Sequence, residues 1–343
     1  MLRLRVINNG DHVGLAWFPE DDKPIANCRG FAIQRKTINP APSATCWLSN
    51  HIGFTSDQMK PEPELEWTWP IQRYLWWDYS VQVGDEVQYR VVPVCGSDYT
   101  NLSLHEEMAT QWSTTETVSG QDGKAIEAYF NRGIIASRWV TRALSDEASK
   151  QNASGPRALL TSAIKNINNP LRKELGGLLL TKLVGLLTEA KKARSKVYAA
   201  LYELNDPEIL DGLTALGGDC NLILGNGAFK PPGNDENTET REKLRVAGTI
   251  NIFDRIVTSG HFAHNKFIVF CDSSGKAQQV WTGSTNTTLT GLCTQANNGI
   301  LIKDAAVADA FLQEWGRLHE AGNTFPPSPV SYTHLTLPTN REV

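Results

Sequence analysis

The sequence predicts a multidomain protein: an all-β sandwich first, then an α/β/α unit built on a mixed sheet. Three observations carry this. Residues 1–115 break into short β-branched and aromatic runs separated by Gly, Pro, Asn and Asp. A stretch of small and polar residues, STTETVSGQDGK at 113–124, then interrupts the pattern. From Lys196 onward, strand-like and helix-like segments alternate, the order that builds a parallel pair with a covering helix. The expected boundaries are a first domain at 1–115, a linker at 116–124, a second domain at 125–329 and a tail at 330–343.

In the first domain, Leu2–Ile7, His12–Phe18, Phe31–Arg35 and Val87–Val94 read as strands. Trp17 is expected in the core, and Trp47, Trp67, Trp69, Trp76 and Trp77 read as inter-strand packing or as an aromatic ligand face. GLAWF near the start and YRV near the end resemble strands of a fibronectin type III-like sandwich.

In the second domain, KAIEAYFNRGIIASRWVTRAL opens with Ile126, Phe130, Ile134, Ile135, Val140 and Leu144 as apolar positions. Arg132 is either a phosphate contact or a surface residue at a helix start. Residues 145–170 read as loop. Leu171–Arg194 reads as a long helix with Leu175, Leu178, Leu179, Leu183, Leu186 and Leu187 on one face. A strand at Lys196–Leu204, a short helix at Pro207–Leu216 and a strand at Cys220–Leu224 follow. After a surface loop at 225–240 come a helix at Arg241–Ala247 and an extended Ile250–Val257. A strand at Gly299–Lys303 and an amphipathic helix at Ala305–His319 end the domain, with Val307, Phe311, Leu312, Trp315 and Leu318 inward.

Between these lies the stretch that carries chemistry, His264 to Asn286. Phe267–Cys271 is a continuous apolar run, expected as a strand buried on both faces. Strand alternation puts His264 and Lys266 on one side. Ser273, Ser274 and Gly275 form a turn, and Gln278–Thr282 returns. A hairpin centred on Ser274 sets His264 opposite Ser284, and Ser284 and Asn286 share a face. Gly283 lets a ligand or another backbone approach. An imidazole, an ammonium, a hydroxyl and an amide at one hairpin mouth suit a phosphodiester. His264 is then the nucleophile. Lys266 stabilises charge on the phosphoryl oxygens, and Ser284 and Asn286 donate to them. The scheme needs no metal and no cofactor, but it lacks an acid/base group for the leaving oxygen.

His264-Asn265-Lys266 followed by Gly283-Ser284-Thr285-Asn286 resembles the signature of the phospholipase D superfamily, over roughly Asp122 to Leu318. The resemblance implies metal-independent phosphodiester chemistry through a phosphohistidine at His264. It also implies support from an Asp five positions after the Lys. That position holds Cys271 here, with Asp272 one residue later, which leaves the role of Asp272 open. Gln295, Asn297 and Asn298 fall where the family often has a supporting Asn or Glu. Gly283, Gln295 and Asn297 are therefore candidate substrate-binding residues, beside His264, Lys266, Ser284, Asn286 and Asp272 as candidate catalytic residues. Family members with this layout usually carry a second His-x-Lys repeat; none is found elsewhere in the 343 residues. The expected partners are a phosphodiester substrate, phospholipid before nucleic acid, and a second half-site, either further along the gene or from a homodimer. Val330–Thr339, VSYTHLTLPT, resembles translated sequencing adapter rather than evolved protein.

Composition bounds the alternatives. Net charge is −4 and the pI about 6.0, which offers no basic footprint for nucleic acid. Mean hydropathy is −0.32, with no apolar run of bilayer length and no signal-peptide core at the N-terminus. Six scattered Cys lack metal or framework spacing, the pattern of reduced thiols in a cytoplasmic protein. His261 and His264 form His-x-x-His, but an i, i+3 pair on a strand faces opposite ways. Asp254 and Glu203 stand as candidate site carboxylates. Three readings remain open: a phospholipase D-type enzyme, a nuclease of the same superfamily, and a non-catalytic binding or scaffold protein.

Overall fold

The computed structural model describes residues 2–21, 23–54, 59–64, 67–121, 123–133, 156–230, 234–258 and 260–324. The expectations for Ile134, Ile135, Val140, Leu144 and the tail at 330–343 lie outside them. The chain divides into two compact units, one built on residues up to Lys124, the other on residues from Ala125 and from Thr161 onward.

Among the described residues, the first unit contains ten strands: β1 (Leu2–Asn8), β2 (Val13–Pro19), β3 (Cys28–Asn39), β4 (Ala44–Trp47), β5 (Asn50–Ile52), β6 (Met59–Glu64), β7 (Leu75–Asp78), β8 (Glu86–Gly96), β9 (Leu102–Leu104) and β10 (Glu116–Thr117). They form a three-stranded antiparallel sheet, β1-β2-β7, and a five-stranded one, β10-β8-β3-β4 with β9 on β8; β5 and β6 pair separately. The two larger sheets share one core. Leu15 and Trp17 from the first meet Phe31, Ile33, Tyr89 and Val91 from the second, all essentially buried. Trp17 is a core aromatic, as expected, and its ring meets Phe31 edge-on at 5.4 Å. A buried polar link joins the sheets: Asp78 accepts from Arg35 at 2.8 Å and from the Tyr89 hydroxyl at 3.0 Å. Trp47, Trp67, Trp69, Trp76 and Trp77 are half-buried.

The second unit adds β11 (Ile126–Phe130), β12 (Val197–Leu201), β13 (Cys220–Gly225), β14 (Phe229–Lys230), β15 (Asn234–Asp235), β16 (Asn251–Arg255), β17 (Lys266–Cys271), β18 (Ala277–Gly283) and β19 (Asn298–Ile302). Its helices are α1 (Pro156–Lys165, its first half on the other unit's side of the division), α2 (Pro170–Ala193), α3 (Pro207–Ala215), α4 (Thr238–Ala247), α5 (Leu289–Cys293) and α6 (Ala305–Ala321). One seven-stranded mixed sheet runs β11-β19-β18-β17-β12-β13-β16. The β12-α3-β13 crossover gives the expected parallel pair, and β16 extends it. β17, β18, β19 and β11 continue antiparallel from the other side of β12.

β17 is buried on both faces, with Phe267 to Cys271 all at 4% exposure or less. Each such side chain contributes roughly 1.5–3 kcal/mol of burial free energy. Phe267, Val269 and Cys271 pack with Trp315 and Leu318 of α6, so Cys271 is a core residue. Val307, expected inward, lies at the start of α6 and is 37% exposed. Along α2 the buried leucines are 175, 179, 180, 183, 186 and 187, with Leu178 only partly covered. The helix is broken at Gly177 (φ +53), yet the buried positions keep their three- and four-residue spacing across the break. Residues 156–165, expected as loop, form α1. The carbonyl of Ile164 in α1 accepts from Arg172, which is fully buried and also grips Asp206 at 2.9 and 3.0 Å and Glu208 at 2.6 Å.

Candidate active site

The chemistry-bearing residues collect at one edge of the seven-stranded sheet. β12 and β13 end there, β17 begins there, β18 ends there and β19 begins there. In open α/β sheets the carboxyl ends of the parallel strands are the usual ligand edge. Leu201, the last residue of β12, pairs with Lys266, the first of β17, so Tyr202 and Glu203 emerge beside the His-x-Lys motif.

Tyr202 organises that motif. Its buried ring meets the His264 imidazole edge-on at 4.7 Å, and the Lys266 ammonium lies 5.1 Å from its centroid. Lys266 Nζ also donates to the His264 carbonyl at 3.3 Å. Burial lowers the His264 pKa from its ordinary value, and the Lys266 charge lowers it further. The imidazole is therefore neutral and nucleophilic at pH 7. Burial pulls Lys266 down to about 8, against the opposing pull of Glu203.

The hairpin register differs from a simple mirror about Ser274. Cys271 pairs with Ala277, but Phe270 pairs with Gln279 and Phe267 with Thr282. A bulge at Gln278 inserts one residue into the returning strand. Counted on from Phe267↔Thr282, Lys266 comes level with Gly283 and His264 with Thr285, not Ser284. β18 ends at Gly283, so strand alternation no longer governs Ser284 and Asn286. Their partners diverge. The Ser284 hydroxyl donates to Asn297 Oδ1 at 3.0 Å and accepts from the Asn298 N–H at 3.0 Å. Asn286 Nδ2 donates to Glu203 Oε2 at 2.8 Å, and among the described residues its buried Oδ1 has no hydrogen-bond partner.

Gly283 gives room to a neighbouring backbone. It holds φ +141, and a Cβ there would sit 2.4 Å from the Asn298 carbonyl oxygen. Asn297 Nδ2 donates to the Gly291 carbonyl at 2.9 Å and to Gln295 Oε1 at 3.4 Å. Asn297 and Gln295 thus brace the 291–297 loop against Ser284. Asn131 completes the brace. Its Nδ2 donates to the carbonyls of Gly291, Leu292 and Gln295 at 2.6–3.1 Å, and its Oδ1 accepts from the Asn297 N–H at 3.0 Å. Arg132 turns its guanidinium to Glu174 at 2.9 Å.

Asp272 is not brought to the site. It sits in the turn at the opposite edge, beside Lys196, six residues beyond Lys266. Its Oδ1 accepts from the Ser274 N–H at 2.9 Å, the Ser274 hydroxyl at 2.6 Å and the Lys276 N–H at 3.0 Å. The Ser274 hydroxyl and these amides hold its carboxyl below the ordinary range. The reason is one of position: the strand ends at Cys271, so the displaced Asp becomes a turn residue. Asp254 pairs with Arg241 at 3.1 Å and with Arg245, a structural role at the sheet's far strand. His261 is exposed and contacts Thr258 at 3.4 Å. Among the described residues, no group of three or more His, Cys, Asp or Glu is placed to hold a metal ion.

Residues 186–319 match the family model described as "Cardiolipin synthase, PLD-like domain". No curated protein sequence matches the chain. Among solved structures, the chain is similar to Nuc from Salmonella typhimurium, described as a phospholipase D family member, at 17% identity and TM-score 0.31, covering 58% of this chain and 97% of that one. NucT from Helicobacter pylori matches at 12% identity and TM-score 0.34, covering 46% and 95%. A phosphatidylserine synthase from Haemophilus influenzae matches at 17% identity and TM-score 0.32, covering 43% and 36%. It is the family-model match that supports the phospholipase D superfamily for this segment. No helix among the described residues is long and apolar enough to cross a membrane.

Proposed function

We propose that the second unit is one half of a phospholipase D-type active site that cleaves phosphodiesters without a metal, through a phosphohistidine on His264. The observation that carries this is the joint packing of His264 and Lys266 on Tyr202, which holds a neutral imidazole next to a fixed ammonium at the ligand edge of the sheet. An imidazole nitrogen attacks phosphorus, and the bond from phosphorus to the leaving oxygen breaks. Lys266 and the remaining Asn286 N–H hold the non-bridging oxygens, where charge grows. The leaving oxygen takes its proton from an acid on a second half-site. That same group then removes a proton from water, which attacks the phosphohistidine and frees His264.

The second half-site comes from a second copy of the chain or from a further His-x-Lys repeat. Phospholipid is the favoured diester, supported by the family description of residues 186–319 and by the net charge of −4. The first unit is a fibronectin type III-like binding or spacing module, supported by its two antiparallel sheets and shared core, and has no part in the chemistry. The test is turnover of phospholipid, single-stranded DNA and double-stranded DNA with chelator present, by wild type and His264→Ala. Phospholipid turnover lost in the variant is expected. DNA turnover lost in the variant moves the substrate to nucleic acid. No turnover of any diester by an assembly with two half-sites leaves a binding protein.

A further inference from the structure

Glu203 stands where three pieces of backbone meet, and the chemistry above gives it no task. It follows β12 directly, so the strand that delivers Tyr202 also delivers this carboxylate. Its Oε2 accepts from Asn286 Nδ2 at 2.8 Å, and its Oε1 from the Ala228 N–H at 3.3 Å. The Glu203 carbonyl accepts from the Thr287 hydroxyl at 2.6 Å, so backbone and side chain both tie it to the segment after β18. The loop after β13 is shaped to close over it. Gly227 holds φ +63, and a Cβ there would meet Glu203 Cγ at 2.9 Å. Asn237 pins that loop, donating to the carbonyls of Tyr202 at 2.7 Å and Gly225 at 2.8 Å and accepting from the Leu204 N–H at 3.0 Å.

A carboxylate beside a phosphate-binding ammonium is electrostatically odd. It weakens the site's attraction for every anion, and the penalty grows with the anion's charge. The charged and titratable groups around Glu203 are Lys266 from β17, with His264 just before it, Glu236 from the loop after β13, and Tyr202 on its own strand. Glu203 thus feels one ammonium and a second carboxylate. A phosphodiester carries one negative charge. A phosphomonoester, with a second pKa of about 6, carries close to two at neutral pH.

We propose that Glu203 is the positioning and charge-selecting residue of this half-site: it fixes the Asn286 amide with one N–H turned to the ligand and favours monoanionic phosphodiesters over dianionic phosphomonoesters. This rests on the phosphodiester reading above and names the selectivity of that site. The hydrogen bond at Oε2 supplies the positioning, and the fixed negative charge supplies the selection. Burial raises the Glu203 pKa, so the selection weakens on acidification, as the carboxyl takes up its proton.

The test compares wild type with Glu203→Gln, which keeps the size and an acceptor oxygen for Asn286, and with Glu203→Ala, which keeps neither. Binding of p-nitrophenyl phosphate, a monoester close to dianionic near neutral pH, and of bis(p-nitrophenyl) phosphate is measured by calorimetry, and the Lys266 ammonium is titrated by NMR. In Glu203→Gln, the monoester is expected to bind about tenfold tighter and the diester about threefold tighter, as repulsion scales with ligand charge. The Lys266 midpoint is expected to fall, because a charge that raised it is gone. Glu203→Ala should lose diester affinity relative to Glu203→Gln. Equal gains for both ligands, or an unmoved Lys266 midpoint, overturn the role of Glu203 alone. Failure of wild type and Glu203→Gln to bind either ligand overturns the phosphodiester reading with it.

Discussion

Tyr202 and Lys266 form a cation–π pair at 5.1 Å, on the ring that also packs against His264 at 4.7 Å. Such pairs contribute about 0.5–2 kcal/mol, more as water is excluded. One aromatic ring therefore sets the relative position of the His264 imidazole and the Lys266 charge. Tyr202→Ala is expected to lower diester turnover ten- to a hundredfold, since misplacing reacting groups by an ångström has that order of cost. Tyr202→Phe keeps the face and should stay near wild type. Steady-state kinetics on both variants check this; equal losses would assign the effect to the hydroxyl.

The pH dependence follows from the two motif side chains. In the proposed mechanism His264 acts when neutral, so activity is expected to fall on the acid side as it protonates, below its ordinary value of 6.5. Lys266 is useful when charged, so activity falls on the alkaline side as pH rises through about 8. Lys266→Arg should lift the alkaline limb, because a guanidinium keeps its proton there. A pH profile of kcat/KM for both proteins reads this directly.

Lys266 should also reveal a trade between stability and function. Its pKa in the folded chain, about 8, lies below the unfolded value of 10.5. The protonated form is therefore disfavoured by folding. That cost is fully present below about pH 8 and is relieved as pH rises toward 10.5. Lys266→Met is expected to abolish phosphate binding while raising Tm at pH 7, with the gain vanishing at high pH. Thermal denaturation across pH checks the sign.

Support for the site comes from beneath it. Arg172, fully buried, grips Asp206, and the Asp206 N–H donates to the Thr287 carbonyl at 3.2 Å, next to Asn286. Arg172→Ala leaves Asp206 buried without its partner and should cost about 3–5 kcal/mol. Arg172→Met with Asp206→Asn should recover part of the loss. Chemical denaturation of the single and double variants measures both.

The lines of the second unit were legible in the sequence because its strands are apolar runs and its helices keep a 3.6-residue period. What pattern could not supply was local geometry. The bulge at Gln278 shifts the hairpin by one, because a bulge changes pairing without changing composition. The break at Gly177 looks like any helical glycine until its φ is known. Motif spacing names His264, Lys266 and Asn286 as candidates, and the structure sets Lys266 at the end of β12 and ties Asn286 to Glu203. Asn131 lies well over a hundred residues from the loop it braces, and its role exists only after β11 pairs with β19. Glu203 was one acid among several at strand ends, and only the β12–β17 register places it beside Lys266.

Asp272 separates motif position from structure. Asp272→Ala removes the acceptor that closes the 272–276 turn, so Tm should fall, and less so at low pH, where the carboxyl is protonated and its contribution is already lost. Diester turnover below the melting range should be unchanged. A loss of turnover at constant fold would return Asp272 to the site.

The most direct measurement is chemical trapping of the intermediate. A two-half-site assembly is mixed with a labelled phosphodiester and chelator, quenched during turnover under alkaline conditions that preserve phosphohistidine, and digested for mass spectrometry. The account predicts a phosphoryl adduct on the peptide bearing His264, absent from His264→Ala, which also shows no turnover. Sustained turnover by His264→Ala, or wild-type turnover that stops when chelator alone is added, would contradict it.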